Sequence, residues 1–518
     1  MAKTRAEILH SKSKKNYDII IIGGGVIGAT IALKTSRVGF STLLLEKHDF
    51  SYGASSRTSK MLTGRFNDMN SKNLISVINQ VKERNNLMYK NSSSPFGIMK
   101  PIYEHSRRGL FREEMRAFLY DLFSIFGKTK KHVSHSRNSA LEILPDLVNN
   151  DVIAAIEYYE GYLDDSRYVM ELLLKAEEYG ADILNYAEVK GFEYTQKEIN
   201  SVVFSDNITR RVHVASGKTI LIAAGAWGQS ISSLVPNGSF EDGVDYVKGT
   251  HLVIDSDLIH INKSVVLPKI KNRPNVFLTR WKNSTIIGPT IKKHHIDFDC
   301  VYATSDEAEY LLDIYNTYFS SIVNKNHIVT TQAGMMPLNP LNVKIHSHPQ
   351  YRLFTVEGGD FTTSSAVAIK TLVKMYGKPY KWFSNEKVIN NKIDKNVQLV
   401  LNKEMVKFLI DYFGSVKMIM KLNEMCQNDS SLLVEVGLDY RINRGLIKYF
   451  IEVEHACHLD DIMMRRLRFI LTENDCGTLI AEHIAEEMGQ ILNWDKEKIQ
   501  WEIKRYRTEI KRARIALF

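Results

Sequence analysis

An α/β fold carrying an α-helical C-terminal domain is predicted by three observations. Four isoleucines at Ile19–Ile22 run into three glycines and a helical pattern. Short β-type runs then alternate with helical patterns up to about residue 385. From Asn396 onward charge-rich amphipathic stretches take over, with few strand signals.

The first element is the most explicit. Tyr17-Asp18 leads into the isoleucine strand, Gly23-Gly24-Gly25-Val26-Ile27-Gly28 follows, and Leu43-Leu44-Leu45-Glu46 arrives one helix later. Strand, glycine turn, helix, strand and terminal acid in this order make a Rossmann-like dinucleotide-binding βαβ unit. Gly23 serves the tight turn, Gly25 lets backbone amides approach a pyrophosphate, and Gly28 lets the helix pack closely on the sheet. The helix N-terminus adds the positive end of its dipole. Glu46 stands 18 residues after Gly28. Its carboxylate can accept hydrogen bonds from an adenosine ribose and would repel a 2′-phosphate, which favours FAD or NAD over NADP.

Directly after the acid, Tyr52-Gly53-Ala54-Ser55-Ser56-Arg57-Thr58-Ser59-Lys60 offers small and hydroxyl residues to line a pyrophosphate and a flavin, with Lys60 as a cationic cap. A flexible surface loop is the alternative. Further β-type runs stand at Ser41–Leu45, Ala181–Leu184, Lys218–Ile222, His251–Ile254, Val276–Thr279, Thr285–Ile287 and Tyr351–Val356. Two of them end in glycine turns, Ala223-Ala224-Gly225-Ala226-Trp227 and Glu357-Gly358-Gly359-Asp360, as further backbone approaches to one large cofactor. The expected division is an oxidoreductase region 1–385, an Asn- and Lys-rich linker 386–396, and a helical domain 397–518.

Composition narrows the class. With 518 residues, 44% of them hydrophobic, the chain can bury large cores. Four cysteines, Cys300, Cys426, Cys457 and Cys476, form no CxxC pair, which agrees with a reducing compartment and no structural zinc. The apolar run Ile19–Leu33 after Lys12, Lys14 and Lys15 imitates a signal sequence or anchor. The glycines inside it, a length below the roughly 20 residues of a spanning helix, and the lack of a cleavage site argue against both. A cytoplasmic protein is expected. Net charge of +9 comes from scattered basic clusters without a nucleic-acid module, so no nucleic-acid partner is expected. Residues 103–131 interleave Arg107, Arg108, Arg112, Arg116, Lys128 and Lys130 with Leu110, Phe111, Met115, Phe118, Leu119, Leu122, Phe123 and Phe126. That helix either lies on an anionic membrane surface or packs on the core. His294-His295, His346 with His348, and His455 with Cys457, His458, Asp460 and Asp461 have metal-ligand types. The acids of the last group are read instead as ion-pair partners of Arg465 and Arg466, and no metal is expected.

These motifs together resemble the FAD-dependent glycerol-3-phosphate dehydrogenases and oxidases, a branch of the glycine-oxidase-like flavoproteins. The carriers are the glycine turn, Leu43 to Lys60, Leu163-Asp164-Asp165-Ser166-Arg167, Ala223 to Trp227, Val247-Lys248-Gly249-Thr250-His251, Ala333 to Leu338, Val356 to Thr363, and Leu459 to Arg466, in the family's order. The resemblance implies an FAD-binding domain interleaved with a sheet-based substrate domain and a helical cap. It also implies hydride transfer from C2 of sn-glycerol 3-phosphate to the flavin, with electrons passed to quinone or oxygen, and peripheral membrane contact through residues 103–131. The implied cofactor residues are Gly23, Gly25, Gly28, Glu46, Ser55, Ser56, Ser59, Lys60, Val189, Ala224, Gly225, Gly358 and Gly359.

The chain departs from the family pattern at three positions. Thr63 stands for a histidine beside the flavin, Met336 for a substrate-binding arginine, and Asp360 for a lysine. Losing an arginine fork removes charge-assisted hydrogen bonds that a thioether cannot replace. Arg65, Arg280, Lys344 and Arg352 are candidate replacement cations, each with the alternative of a solvated surface charge. His251 is the remaining histidine for a position over the flavin. The candidate catalytic set is therefore His251, Arg65 and Arg280. Two other readings stay open: a relative that oxidises a non-phosphorylated substrate, and a flavin-binding protein with little turnover.

Overall fold

The computed structural model describes residues 5–70, 73–90, 95–103, 107–124, 130–148, 151–195, 198–236, 238, 240, 242–268, 275–294, 297–348, 351–384, 398–437 and 439–517. The expected linker 386–396 lies outside the described residues, as do Phe126, Lys128 and His295.

Ile19–Ile22 is a central strand of a six-stranded sheet. Leu353–Glu357, Ile220–Ile222, Ile19–Ile22, Thr42–Leu45 and Asp182–Leu184 run parallel in that order, and Lys344–Ser347 closes one edge antiparallel. All four isoleucines are buried because both faces of the sheet are covered, so the strand reads as a continuous apolar run. Alternate side chains serve different layers. Ile19 and Ile21 pack with the helices Val26–Arg37, Asp165–Glu178 and Ser364–Tyr376. Ile20 and Ile22 pack on a second sheet through Val202, Phe204 and Ala215. Each such side chain contributes about 1.5–3 kcal/mol by leaving water.

A large, mainly antiparallel sheet forms the other layer. Tyr246–Asp255 pairs with Ile328–Pro337 on one side and Ser284–Gly288 on the other. The sheet continues through Phe277–Trp281, Ser264–Val266, Pro95–Ile102, Ala154–Tyr162 and Met61–Leu62. Its strands alternate along the chain with those of the parallel sheet, so the two parts are interleaved. Three long strands, Pro95–Ile102, Ala154–Tyr162 and Ile328–Pro337, carry no clear sequence signal. They contain prolines, glycines or polar runs such as Thr330-Thr331-Gln332, and their cross-strand partners decide their conformation rather than local propensity.

Beyond residue 398 the chain is helical apart from one small hairpin, Glu435–Val436 with Asp439–Asn443. Asn402, Asn443 and Asp495 cap the helices Lys403–Phe413, Arg444–Glu452 and Lys496–Ala513 by accepting a backbone N–H of the first turn. Leu409, Leu422, Leu446, Phe450, Ile484 and Tyr506 share one core. A buried ionic clamp joins this domain to the rest. Arg465 Nε donates to Asp49 Oδ2 at 2.6 Å, and Arg466 holds both oxygens of the same carboxylate at 2.8 and 2.9 Å. Asp460 and Asp461 also pair with Arg465, Glu454 also pairs with Arg466, and Glu454 takes Arg167 as well. The acids and arginines of Leu459 to Arg466 thus form the expected ion pairs, across the domain boundary as well as within the segment.

Candidate functional site

The carboxyl ends of the parallel strands open onto a cleft of about 320 Å³, lined by Ile22, Leu45 and Ala223 at the strand tips. Parallel sheets receive ligands at this edge. Gly23 has φ +116°, and a Cβ there would lie 2.5 Å from the Ala223 carbonyl oxygen. A Cβ on Gly28 would lie 1.9 Å from the oxygen of Gly23, so only glycine allows the helix to start this close to the strand. On Gly25 a Cβ would point at Ser55 Oγ, 3.1 Å away, across the space the turn leaves open. Ser55 Oγ accepts the Val26 N–H at 3.0 Å, giving the helix start a cap from a distant loop. Glu46 accepts the N–H groups of Gly24 at 2.6 Å and His48 at 2.9 Å, one on each oxygen. Burial raises its pKa against those two bonds, and its remaining lone pairs are available to a hydroxylated ligand.

Val189, Ala224, Gly225, Gly358 and Gly359 line the same cleft. Sequence reasoning did not assign Tyr52, Trp227, Tyr246 or Met335 to it, although they line it too. Trp227 ends the Ala-Gly-Ala-Trp turn, and that position was the available signal. Asp299, without any local signal, braces the rim by accepting from Lys47, from the Trp227 indole at 3.1 Å and from His48 at 3.4 Å. The His48 and Lys47 contacts hold its carboxyl below the usual carboxylate range. Ser56, Ser59 and Lys60 do not line the cleft. Lys60 is buried in a cluster of its own, donating to Asp165 at 2.6 Å and to the Ser56 carbonyl at 2.9 Å, while Arg468 takes the other oxygen of Asp165 at 2.7 Å.

One end of the cleft meets the altered motifs. Asp360 follows Gly359, and Thr362 Oγ1 donates to the Thr63 carbonyl, bringing the two loops together. Thr63 Oγ1 and the Gly64 N–H both donate to Glu160, which is buried with Arg84 at 2.8 Å and Tyr120 at 2.8 Å. Arg65, in a left-handed conformation, reaches Asp360 at 3.3 Å and Asp68 at 3.7 Å. His251 is buried with neither ring nitrogen paired among the described residues. Burial, with Lys60 nearby, pushes its pKa down to about 3, so the imidazole is neutral. Met336 packs its thioether on Gly249. Arg280 donates to the Ile261 carbonyl at 2.9 Å and does not contact Arg65. Lys344 pairs with Asp242 at 2.9 Å on the surface.

The profile of the family described as FAD dependent oxidoreductase matches residues 18–371. The chain belongs to that family. A second profile, described as the C-terminal domain of alpha-glycerophosphate oxidase, matches residues 357–499. Among curated relatives, glycerol-3-phosphate dehydrogenase 2 of Mycobacterium tuberculosis is 26% identical, over 96% of this chain and 88% of its own. The alpha-glycerophosphate oxidase of Enterococcus casseliflavus is 28% identical over 65% of this chain and 56% of its own. A glycerol-3-phosphate dehydrogenase from Bacillus halodurans, solved with FAD, shares the fold with a TM-score of 0.80 at 22% identity, covering 99% of this chain and 98% of that one.

As an FAD-dependent oxidoreductase, the chain has a cradle that suits this cofactor. Gly25 keeps the approach to the helix start free of side chains, and Glu46 presents carboxylate oxygens beside it. Glu46→Gln is expected to weaken FAD binding about 10- to 100-fold, the loss of one or two charge-assisted hydrogen bonds. Equilibrium binding followed by flavin fluorescence measures it. An unchanged Kd would remove Glu46 from the cofactor site.

Proposed function

We propose that this chain oxidises a small polyol at a secondary alcohol, the reaction type named for its curated relatives. What supports this reading is the glycine-and-glutamate cradle, whose Gly358-Gly359 turn runs directly into Asp360 and its partner Arg65, together with the unpaired imidazole of the buried His251. FAD, when bound, supplies the two-electron oxidant that takes the hydride from carbon. Gly23, Gly25, Gly28, Glu46, Ser55, Val189, Ala224, Gly225, Gly358 and Gly359 are proposed to hold it, with Ser56, Ser59 and Lys60 supporting the wall behind. His251 is proposed to accept the hydrogen bond of the reacting hydroxyl. At a pKa of about 3 it orients the alcohol without becoming cationic. Arg65 is proposed to meet the substrate, and Arg280 to stiffen the strand wall through Ile261. Quinone or oxygen is the proposed electron acceptor.

The test is an anaerobic titration of the yellow protein with glycerol and with sn-glycerol 3-phosphate. Bleaching of the flavin by at least one is expected. If dithionite reduced the bound flavin and neither compound did, the reading would be wrong.

Peripheral membrane contact belongs to the same proposal. On the helix Arg107–Phe123, Phe111 and Phe118 are 63% and 57% exposed, with Met115 and Leu122 exposed on the same face. Ala117 and Tyr120 face the core instead. Exposed aromatics next to the exposed Arg112 suit an anionic lipid surface. Among the described residues no helix is long and apolar enough to cross a membrane. Sedimentation with anionic vesicles is expected, and Phe111→Ser/Phe118→Ser/Leu122→Ser should abolish it. Wild-type protein that stays in the supernatant at low salt would exclude this contact.

A further inference from the structure

We infer that the Gly358-Gly359 end of the cleft takes an uncharged polyol and rejects its phosphate monoester, with Asp360 as the residue that decides. The inference rests on the polyol-oxidising reading above. Arg65 meets the residue that follows the Gly358-Gly359 turn, and it is already paired with Asp360 at 3.3 Å and Asp68 at 3.7 Å. Asp360 is held firmly in that role. Its Oδ1 accepts the N–H and the hydroxyl of Thr363 at 2.8 and 2.9 Å, which points Oδ2 at the arginine. The buried cations Lys60 and Lys248 are matched as well, by Asp165 and Glu307. His251 is neutral and Met336 is apolar.

A phosphate dianion brought to Arg65 would lie within a few ångströms of two carboxylates and be repelled by both. It would have to displace Asp360 from Arg65 and leave that carboxylate without its partner. A vicinal diol has no such conflict. One hydroxyl can donate to Asp360 Oδ2 while another accepts from Arg65, whose Nε has no partner among the described residues. The redox step balances without further reactants: the alcohol carbon loses a hydride to oxidised FAD, the hydroxyl proton leaves to solvent, and a ketone and reduced flavin result.

Glycerol and sn-glycerol 3-phosphate differ only in the phosphate, so they form the test pair. Anaerobic flavin bleaching by glycerol and not by sn-glycerol 3-phosphate at equal concentration is expected for the wild type. A second readout is binding alone, followed as the difference spectrum of the oxidised flavin with inorganic phosphate and with sn-glycerol 3-phosphate. Asp360→Asn keeps a side-chain oxygen for Thr363 while freeing Arg65, and it should tighten phosphate-ester binding about tenfold or more. Bleaching of the wild type by sn-glycerol 3-phosphate in preference to glycerol would overturn this inference and leave the polyol reading standing. An Asp360→Asn protein that binds the phosphate ester no better than wild type would overturn it too. Bleaching by neither compound would overturn both.

Discussion

Asp49→Ala is expected to destabilise the protein by about 3–5 kcal/mol, the cost of leaving buried guanidinium charge without its partner. The carboxylate of Asp49 is fully buried and takes three of the bonds from Arg465 and Arg466. The partners that remain, Asp460, Asp461 and Glu454, are already committed to those arginines, to Arg505 and to Arg167. The loss should appear as a lower urea midpoint and as new tryptic cleavage in the C-terminal domain. Arg512→Ala is the matched control. Its pair with Glu509 is half exposed on one helix, so its loss should cost about 0.5 kcal/mol or less. Equal effects of the two substitutions would show that the clamp adds nothing beyond surface charge.

Gly28→Ala is expected to abolish FAD retention, lowering affinity more than about 100-fold. The added Cβ would overlap the Gly23 carbonyl oxygen at 1.9 Å, and neither backbone can yield without opening the turn that forms the cradle. Purified protein should be colourless while keeping its helical content. Gly191→Ala, in a strand position where a Cβ meets nothing within 4 Å, should remain yellow. A yellow Gly28→Ala protein would show that the cleft holds its cofactor by other means.

What the sequence made legible follows the range of the interactions. Gly23, Gly25, Gly28 and Glu46 lie within one βαβ unit, so their spacing alone carries their geometry. Lys60 was misleading because its partner, Asp165, is 105 positions away and draws the ammonium out of the cleft wall into a buried cluster. Asp360 could be recognised as a departure from a family pattern and Arg65 as a candidate replacement cation, yet their pairing across 295 positions appears only in three dimensions. The helix Arg107–Phe123 has apolar residues on more than one face. Periodicity could not tell that Ala117 and Tyr120 pack inward while Phe111 and Phe118 face solvent, since that choice depends on the neighbours Phe66 and Tyr158. Asp299, 252 positions from Lys47, lay beyond any local argument.

The clamp and the cradle share a stretch of chain. Glu46 holds the glycine turn, Ser51 donates its N–H to the Gly24 carbonyl at 3.1 Å, and Asp49 between them anchors the C-terminal domain. Ordering this short loop therefore serves two equilibria at once, and thermodynamic reciprocity requires each to assist the other. Cofactor loading is then expected to tighten the grip on the distal domain, and a docked domain to raise the affinity for the cofactor. A chain that has not yet acquired its flavin is then expected to be the looser molecule, with its C-terminal domain the first part offered to proteases. Colour and completeness of assembly are then a single property of this protein.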